Sequence, residues 1–142
     1  MDCIFCKIVA GEIPSSKVYE DEKILGFLDI NPAKKGHCLV LPKEHYENIF
    51  DVSDDVLSET VAVVKKVALA VQKETASDGV NILQNNNRAA GQLVPHIHFH
   101  IIPRFENDEV NFSYRGEKYL EGEIEETRKR IDAIIRMHNA VE

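Results

Sequence analysis

Between Ser53 and Thr75 the apolar side chains Val56, Leu57, Val61, Val64, Val67, Ala68 and Val71 recur at steps of three and four residues. That period winds one stripe along an α-helix, so the pattern predicts a helix from about 54 to about 75 with the stripe buried. Ser53 supplies a capping hydroxyl, and Asp54 and Asp55 put negative charge at the positive end of the helix dipole. Gly79 is expected to end the helix. Before it, Lys17 to Ile30 is rich in β-branched and aromatic residues broken by Asp21-Glu22-Lys23, which predicts two short strands around a turn. Asn31 to Gly36 reads as a connection, and Cys38-Leu39-Val40-Leu41, closed by Pro42, as a third strand. After the helix, Val80 to Gln84 and Val94 to Pro103 read as strands separated by the polar loop Gln84 to Gln92. The tail from Glu121 to Ala140 has helical composition, with Ile124, Ile131, Ile134 and Ile135 as a second apolar face. Five strands, one long internal helix and a C-terminal helix predict an α+β domain with a mostly antiparallel five-stranded sheet.

Composition adds limits to this picture. With 142 residues, 44% hydrophobic and 29% charged, the chain is expected to form a single domain, 1–142, and not a disordered or fibrous polymer. Its longest apolar runs, such as Val61 to Val64, fall far short of the roughly 20 residues needed to cross a bilayer, so no membrane partner is expected. Seventeen basic against 24 acidic residues give a net charge of −7, which repels a long nucleic-acid backbone but admits a small anion in a local pocket. Met1-Asp2-Cys3 begins with no basic segment leading into an apolar run, so a cytoplasmic location is expected. The three cysteines, an odd number, then read as thiols or metal ligands instead of a disulfide framework.

The chemistry concentrates in His96-Ile97-His98-Phe99-His100. In a strand rising ~3.3 Å per residue, His96, His98 and His100 share one face and Ile97, Phe99 and Ile101 the other. Same-face neighbours lie roughly 6.6 Å apart, too far for all three rings to chelate one metal, so different tasks for the three are expected. Grouping three rings that titrate near neutral pH is electrostatically awkward unless they are used.

This alternation of histidines with hydrophobic residues resembles the signature of the histidine triad (HIT) superfamily of nucleotide hydrolases and transferases. Gly91-Gln92 just upstream, Asn85, Asp29 and Gly36-His37-Cys38-Leu39-Val40 follow the order that the superfamily uses, so the resemblance runs from about Cys3 to about Arg104. The resemblance implies that residues 105–142 form a variable segment. The resemblance implies that His98 attacks the α-phosphorus of a purine nucleotide derivative and forms a transient nucleotidyl-histidine that water cleaves, releasing a nucleoside monophosphate. It implies that His100 bonds the phosphate oxygens, that Gln92 and the backbone near Leu93 donate where charge develops, and that His37 orients the cluster. It places Asp29 at the ribose hydroxyls, Ile30 beside the base, and Asn85, Gly91 and Leu93 against the nucleotide. Some relatives carry a serine or threonine where this chain has Leu93, so a hydroxyl near the leaving group is missing here. A symmetric homodimer with a continuous sheet is implied as well.

Cys3-Ile4-Phe5-Cys6 is a C-x-x-C pair, which by itself suits metal binding, redox work or chance. The redox form normally sits at a helix N-terminus in a βαβ unit, a setting that this beginning does not suggest. Prokaryotic-type members of the resembled superfamily hold zinc with such a pair, a histidine placed like His45, and the first triad histidine. The resemblance therefore implies one structural zinc per chain on Cys3, Cys6, His45 and His96, a closed tetrahedral set. Cys38 is left as a small core residue.

Three readings follow. One is an enzyme working through His98. The second is a nucleotide-binding or partner-binding regulatory module with the same pocket and no useful turnover. The third is a metal-dependent hydrolase with His96 and His98 on a catalytic zinc, against which the two thiolates argue.

Overall fold

In the computed structural model, which describes residues 2–141, the elements run α1 (Ile4–Val9), β1 (Lys17–Glu20), β2 (Ile24–Leu28), β3 (Cys38–Pro42), α2 (Asp54–Thr75), β4 (Gly79–Leu83), β5 (Phe99–Arg104) and α3 (Glu123–Val141). Met1 and Glu142, the ends of the expected span 1–142, lie outside the described residues. Among the described residues the strands form one antiparallel sheet in the order β1-β2-β3-β5-β4. The α+β architecture is therefore the expected one. Two compact units make up the chain, Met1–Val110 with the sheet and Asn111–Glu142 with α3.

Alternation along the central strands makes two apolar layers. Ile24, Cys38, Val40, Phe99 and Ile101 face α2 and bury Val63, Val64, Val67 and Val71. The intervening Leu25, Phe27, Leu39 and Leu41 pack on the opposite face with Cys3, Phe5 and Ile8 of the N-terminal segment. Because β2 and β3 are covered on both sides, they read as unbroken apolar runs. Cys38 is a core residue as expected, and burial pushes its thiol up to about 11.

Four expectations need correction. Val61 is 46% exposed, while Thr60 is 1% exposed and Val63 is buried, so the buried arc of α2 is turned from the expected one. Thr60 tolerates this position because its hydroxyl donates to the Val56 carbonyl at 2.7 Å, leaving only its methyl to pack. Helix α2 ends at Ala76 in the left-handed conformation, φ 52°, and not at Gly79, which opens β4. The N-terminus forms α1, with Cys3 as its N-cap accepting the Cys6 backbone N–H at 3.4 Å, so the C-x-x-C pair does start a helix, although outside any βαβ unit. Lastly, paired strand begins at Phe99, not Val94. The ladder pairs Val40 with Phe99 and would next reach Leu41 and Pro42, but Pro42 has no N–H and its carbonyl accepts from His96 Nε2 at 2.7 Å. Ile97 N–H turns instead to the Tyr46 carbonyl at 2.8 Å.

The turn into β3 depends on Gly36, which has φ +101° and whose missing Cβ would lie 2.9 Å from Thr75 Cγ2. Gly36→Ala would combine left-handed strain with this overlap. It is expected to lower unfolding free energy by about 2 kcal/mol, measured by urea denaturation.

Candidate active site and metal centre

His100 stands directly opposite Leu39 of β3 and Leu83 of β4, which puts its ring on the sheet face away from α2. His98 lies next to it, ring centroids 5.0 Å apart, and is 8% exposed. His37, just before β3, lies beyond it, 5.2 Å from His100. His98, His100 and His37 therefore form a row of imidazoles, of which only His100 belongs to paired strand, while His96 turns to Cys3, Cys6 and His45.

The hydrogen bonds around these rings determine which nitrogen carries each proton. The Ala33 N–H can only donate, so His37 Nδ1, 3.0 Å away, accepts and the ring proton sits on Nε2. From there His37 Nε2 donates to His100 Nδ1 at 3.0 Å, with the Asp29 carboxylate 3.6 Å from the same nitrogen. His100 must then carry its proton on Nε2, as a donor. His98 Nδ1 donates to the His96 carbonyl at 2.7 Å, which leaves Nε2 with a lone pair. Burial pushes all three imidazolium forms below the ordinary histidine range, so the rings are neutral near pH 7. The arrangement thus offers one nucleophilic nitrogen beside one N–H donor.

Asp29, His37 and His100 lie close enough to suggest a metal site, but the proton order argues otherwise. A metal on His37 Nε2 would force a neutral ring to carry its proton on Nδ1, against the Ala33 N–H. This cluster is a hydrogen-bond chain.

The other expected residues are placed as follows. Asp29 accepts the Asn31 N–H at 2.8 Å and keeps its second oxygen toward His37. Ile30 is 90% and Leu93 88% exposed, so both present apolar surface to whatever binds. Gly91 adopts φ +92° in the loop beside Asn85, whose Nδ2 is 3.6 Å from where a Cβ would sit. Gln92 departs from its expected task. Its Oε1 accepts the Asn87 N–H at 2.7 Å, and its Nε2 donates to the Glu47 and Val94 carbonyls at 2.6 and 3.1 Å. With both amide hydrogens taken, this side chain ties the 84–95 loop to the 45–51 loop.

Sequence reasoning missed this loop network and Phe5. Asn87 has φ 70°, ψ 162°, a strained state held by Gln92 and by Asn48 Nδ2, which donates to Asn87 Oδ1 at 2.9 Å. Phe5 sets its ring edge-to-face on His98, centroids 5.0 Å apart at 82°. No pattern in the sequence marks either feature, because the partners are 39 and 93 positions away.

Cys3, Cys6, His45 and His96 converge on one point, their ligand atoms all within 4.8 Å of one another. Tetrahedral zinc with ordinary bond lengths needs S···N edges of about 3.6 Å and an N···N edge of about 3.3 Å. Here Cys3 Sγ and Cys6 Sγ lie 3.5 and 3.6 Å from His96 Nδ1, Cys6 Sγ lies 3.4 Å from His45 Nδ1, and the two Nδ1 atoms are 3.2 Å apart. His96 Nε2 donates to the Pro42 carbonyl, so the Nδ1 lone pair points into the cluster, the outer hydrogen bond that zinc-bound histidines use. Burial pushes His96 down to about 4, which keeps that lone pair free of a proton. The donor set fits zinc. Since His96 Nδ1 faces the thiols and His98 Nδ1 faces a carbonyl, the two rings do not converge on a common metal.

The HIT domain family model matches residues 10–107. Adenosine 5′-monophosphoramidase of Schizosaccharomyces pombe is 50% identical over 104 residues, covering 73% of this chain and 75% of that protein. The crystal structure of a member of the HIT family of proteins from Bacillus subtilis superposes with TM-score 0.88 at 41% identity, over 94% of this chain and 96% of that one. A Zn-bound histidine triad family protein from Mycobacterium smegmatis gives TM-score 0.75 at 36% identity, over 100% and 99%.

Proposed function

This chain belongs to the HIT family, and from that premise we propose that it hydrolyses a purine nucleotide derivative at the α-phosphate through a covalent intermediate on His98. The observation that carries the reading is the His98 Nδ1–H bond to the His96 carbonyl, which leaves Nε2 as a neutral, buried nucleophile. In the first step the Nε2 lone pair attacks phosphorus and a P–N bond forms. The bond to the leaving group breaks, its electron pair goes to that group, and the group takes up a proton. In the second step water attacks phosphorus, the P–N pair returns to Nε2, the water proton is released, and AMP departs. The ring is cationic in between, and the His96 carbonyl facing Nδ1–H stabilises that charge.

His100 supplies an Nε2–H to the phosphoryl oxygens, and His37 acts on it by holding its Nδ1 proton-free. We assign Asp29 to the ribose hydroxyls, Ile30 to the base, and Asn85, Gly91 and Leu93 to the remaining nucleotide contacts. Gln92 enters through the loop it ties. When bound, a structural zinc on Cys3, Cys6, His45 and His96 supplies a cross-link between the N-terminus and the segment before β5. We place this chemistry in the unit Met1–Val110 and the protein in the cytoplasm; no described helix is long and apolar enough to cross a membrane.

The test is AMP release from adenosine 5′-phosphoramidate and from a diadenosine polyphosphate. Release from either supports the reading and ranks the leaving groups. Folded protein that binds AMP and releases none from both would transfer the assignment to a regulatory binding module.

A homodimer is part of the proposal. β4 is an edge strand with open backbone groups, and Val61 and Leu69 of α2 with Ile82 of β4 flank an apolar groove of about 300 Å³. Such an edge is self-complementary about a two-fold axis. Wild type is expected to run as a dimer and Ile82→Asp as a monomer, measured by light scattering.

A further inference from the structure

We infer that Phe5 is a positioning residue for the catalytic imidazole and that it makes the N-terminal metal centre a determinant of turnover, an inference that rests on the His98 reading above. Phe5 lies between the two ligand cysteines on α1, with Cys3 as the helix N-cap and Cys6 in the first turn. A metal that holds both sulfurs therefore holds the Phe5 Cα from both sides. The Phe5 ring is buried and meets three others edge-to-face: His98 at 5.0 Å and 82°, His96 at 6.0 Å and 74°, and Phe27 at 5.8 Å and 71°.

His98 is thereby enclosed. Phe5 stands on one side, the His100 ring lies 5.0 Å away at 66°, and Nδ1 is tied to the His96 carbonyl. That enclosure matters because the second side-chain torsion of a histidine is broad and roughly two-fold. One hydrogen bond to a carbonyl two residues back does not by itself define the ring plane. A swing or flip takes Nε2 off the line to phosphorus, and near-attack geometry is lost although the nucleotide contacts remain. Phe5 removes that freedom by filling the space into which the ring would turn.

An edge-to-face contact of this strength sets a population ratio of about 10-fold. Phe5→Leu and Phe5→Met, which keep apolar volume without a ring, are expected to lower kcat about 2-fold, as the competent fraction falls from about nine-tenths to about one-half, with KM unchanged and zinc still at one per chain. The ring 15N shifts of His98 should move from a single Nδ1–H form toward a mixture of the two tautomers. Stripping zinc from wild type should lower kcat to a similar degree, and stripping it from Phe5→Leu should add little, because both changes release the same ring.

Ile8→Ala, in the same helix and apolar cluster, is the control; it should lower stability and leave kcat intact. The inference is overturned if both Phe5 variants keep full kcat and the wild-type 15N shifts, if Ile8→Ala loses kcat equally, or if zinc removal and Phe5→Leu act additively. His98→Ala separates the two levels. Turnover surviving in His98→Ala would sink the nucleophile reading itself, whereas a dead His98→Ala beside fully active Phe5 variants would sink only the role of Phe5.

Discussion

His98→Ala is expected to reduce AMP release by at least on the order of 10⁴-fold while the protein stays folded and still binds AMP. The size follows from the loss of the proposed covalent route: without Nε2, water would have to displace the leaving group directly in one step. Residual catalysis would come only from binding and from the N–H donors of His100 and the backbone. The fold is expected to survive because His98 lies outside the strand ladder and its imidazole bonds a carbonyl only two residues back in the chain. Steady-state kinetics and AMP titration on the same preparation decide the matter. A variant that retains a tenth of wild-type turnover would exclude His98 as the nucleophile.

The second large effect concerns the metal centre. Cys3→Ser is expected to drop bound zinc from one per chain to near zero and to lower the melting temperature by about 10 °C. A ligand present at roughly 1,000 times its dissociation constant stabilises by about 4 kcal/mol, and in a domain of this size each kcal/mol shifts the midpoint by about 2–4 °C. The protein should nonetheless remain folded at 25 °C, unlike a zinc finger, because Ile24, Val40, Val64 and Ile101 form a core on the opposite face of the sheet. Metal analysis and a thermal melt with and without chelator provide the readings. A melting temperature that chelation leaves unchanged would remove the structural role.

What was legible in the sequence was whatever repeats locally. The apolar steps between Ser53 and Thr75 and the turn at Asp21-Glu22-Lys23 specify elements through neighbours three or four positions away, and those elements formed. The arc of α2 was misjudged at Val61 because a threonine counts as polar in the pattern, although its hydroxyl can bond its own helix. Helix α1 escaped notice because six residues are too few for a period to show, and its cap is a cysteine. The histidine alternation pointed to the site, but its first two members proved to lie before the ladder, where Pro42 ends pairing.

By itself, then, the sequence determined the α+β architecture and the histidine alternation, because periodicity and turn chemistry are properties of the chain, while its resemblance to a family singled out the four residues that converge near the N-terminus. Only the tertiary structure decided which nitrogen of each ring carries a proton, where the Gln92 amide is spent, and which ring confines His98. Those outcomes depend on partners such as Ala33 for His37, Glu47 for Gln92 and Phe5 for His98. A hydrogen-bond donor or an aromatic edge acts only over a few ångströms, so its effect exists once folding has brought distant residues together.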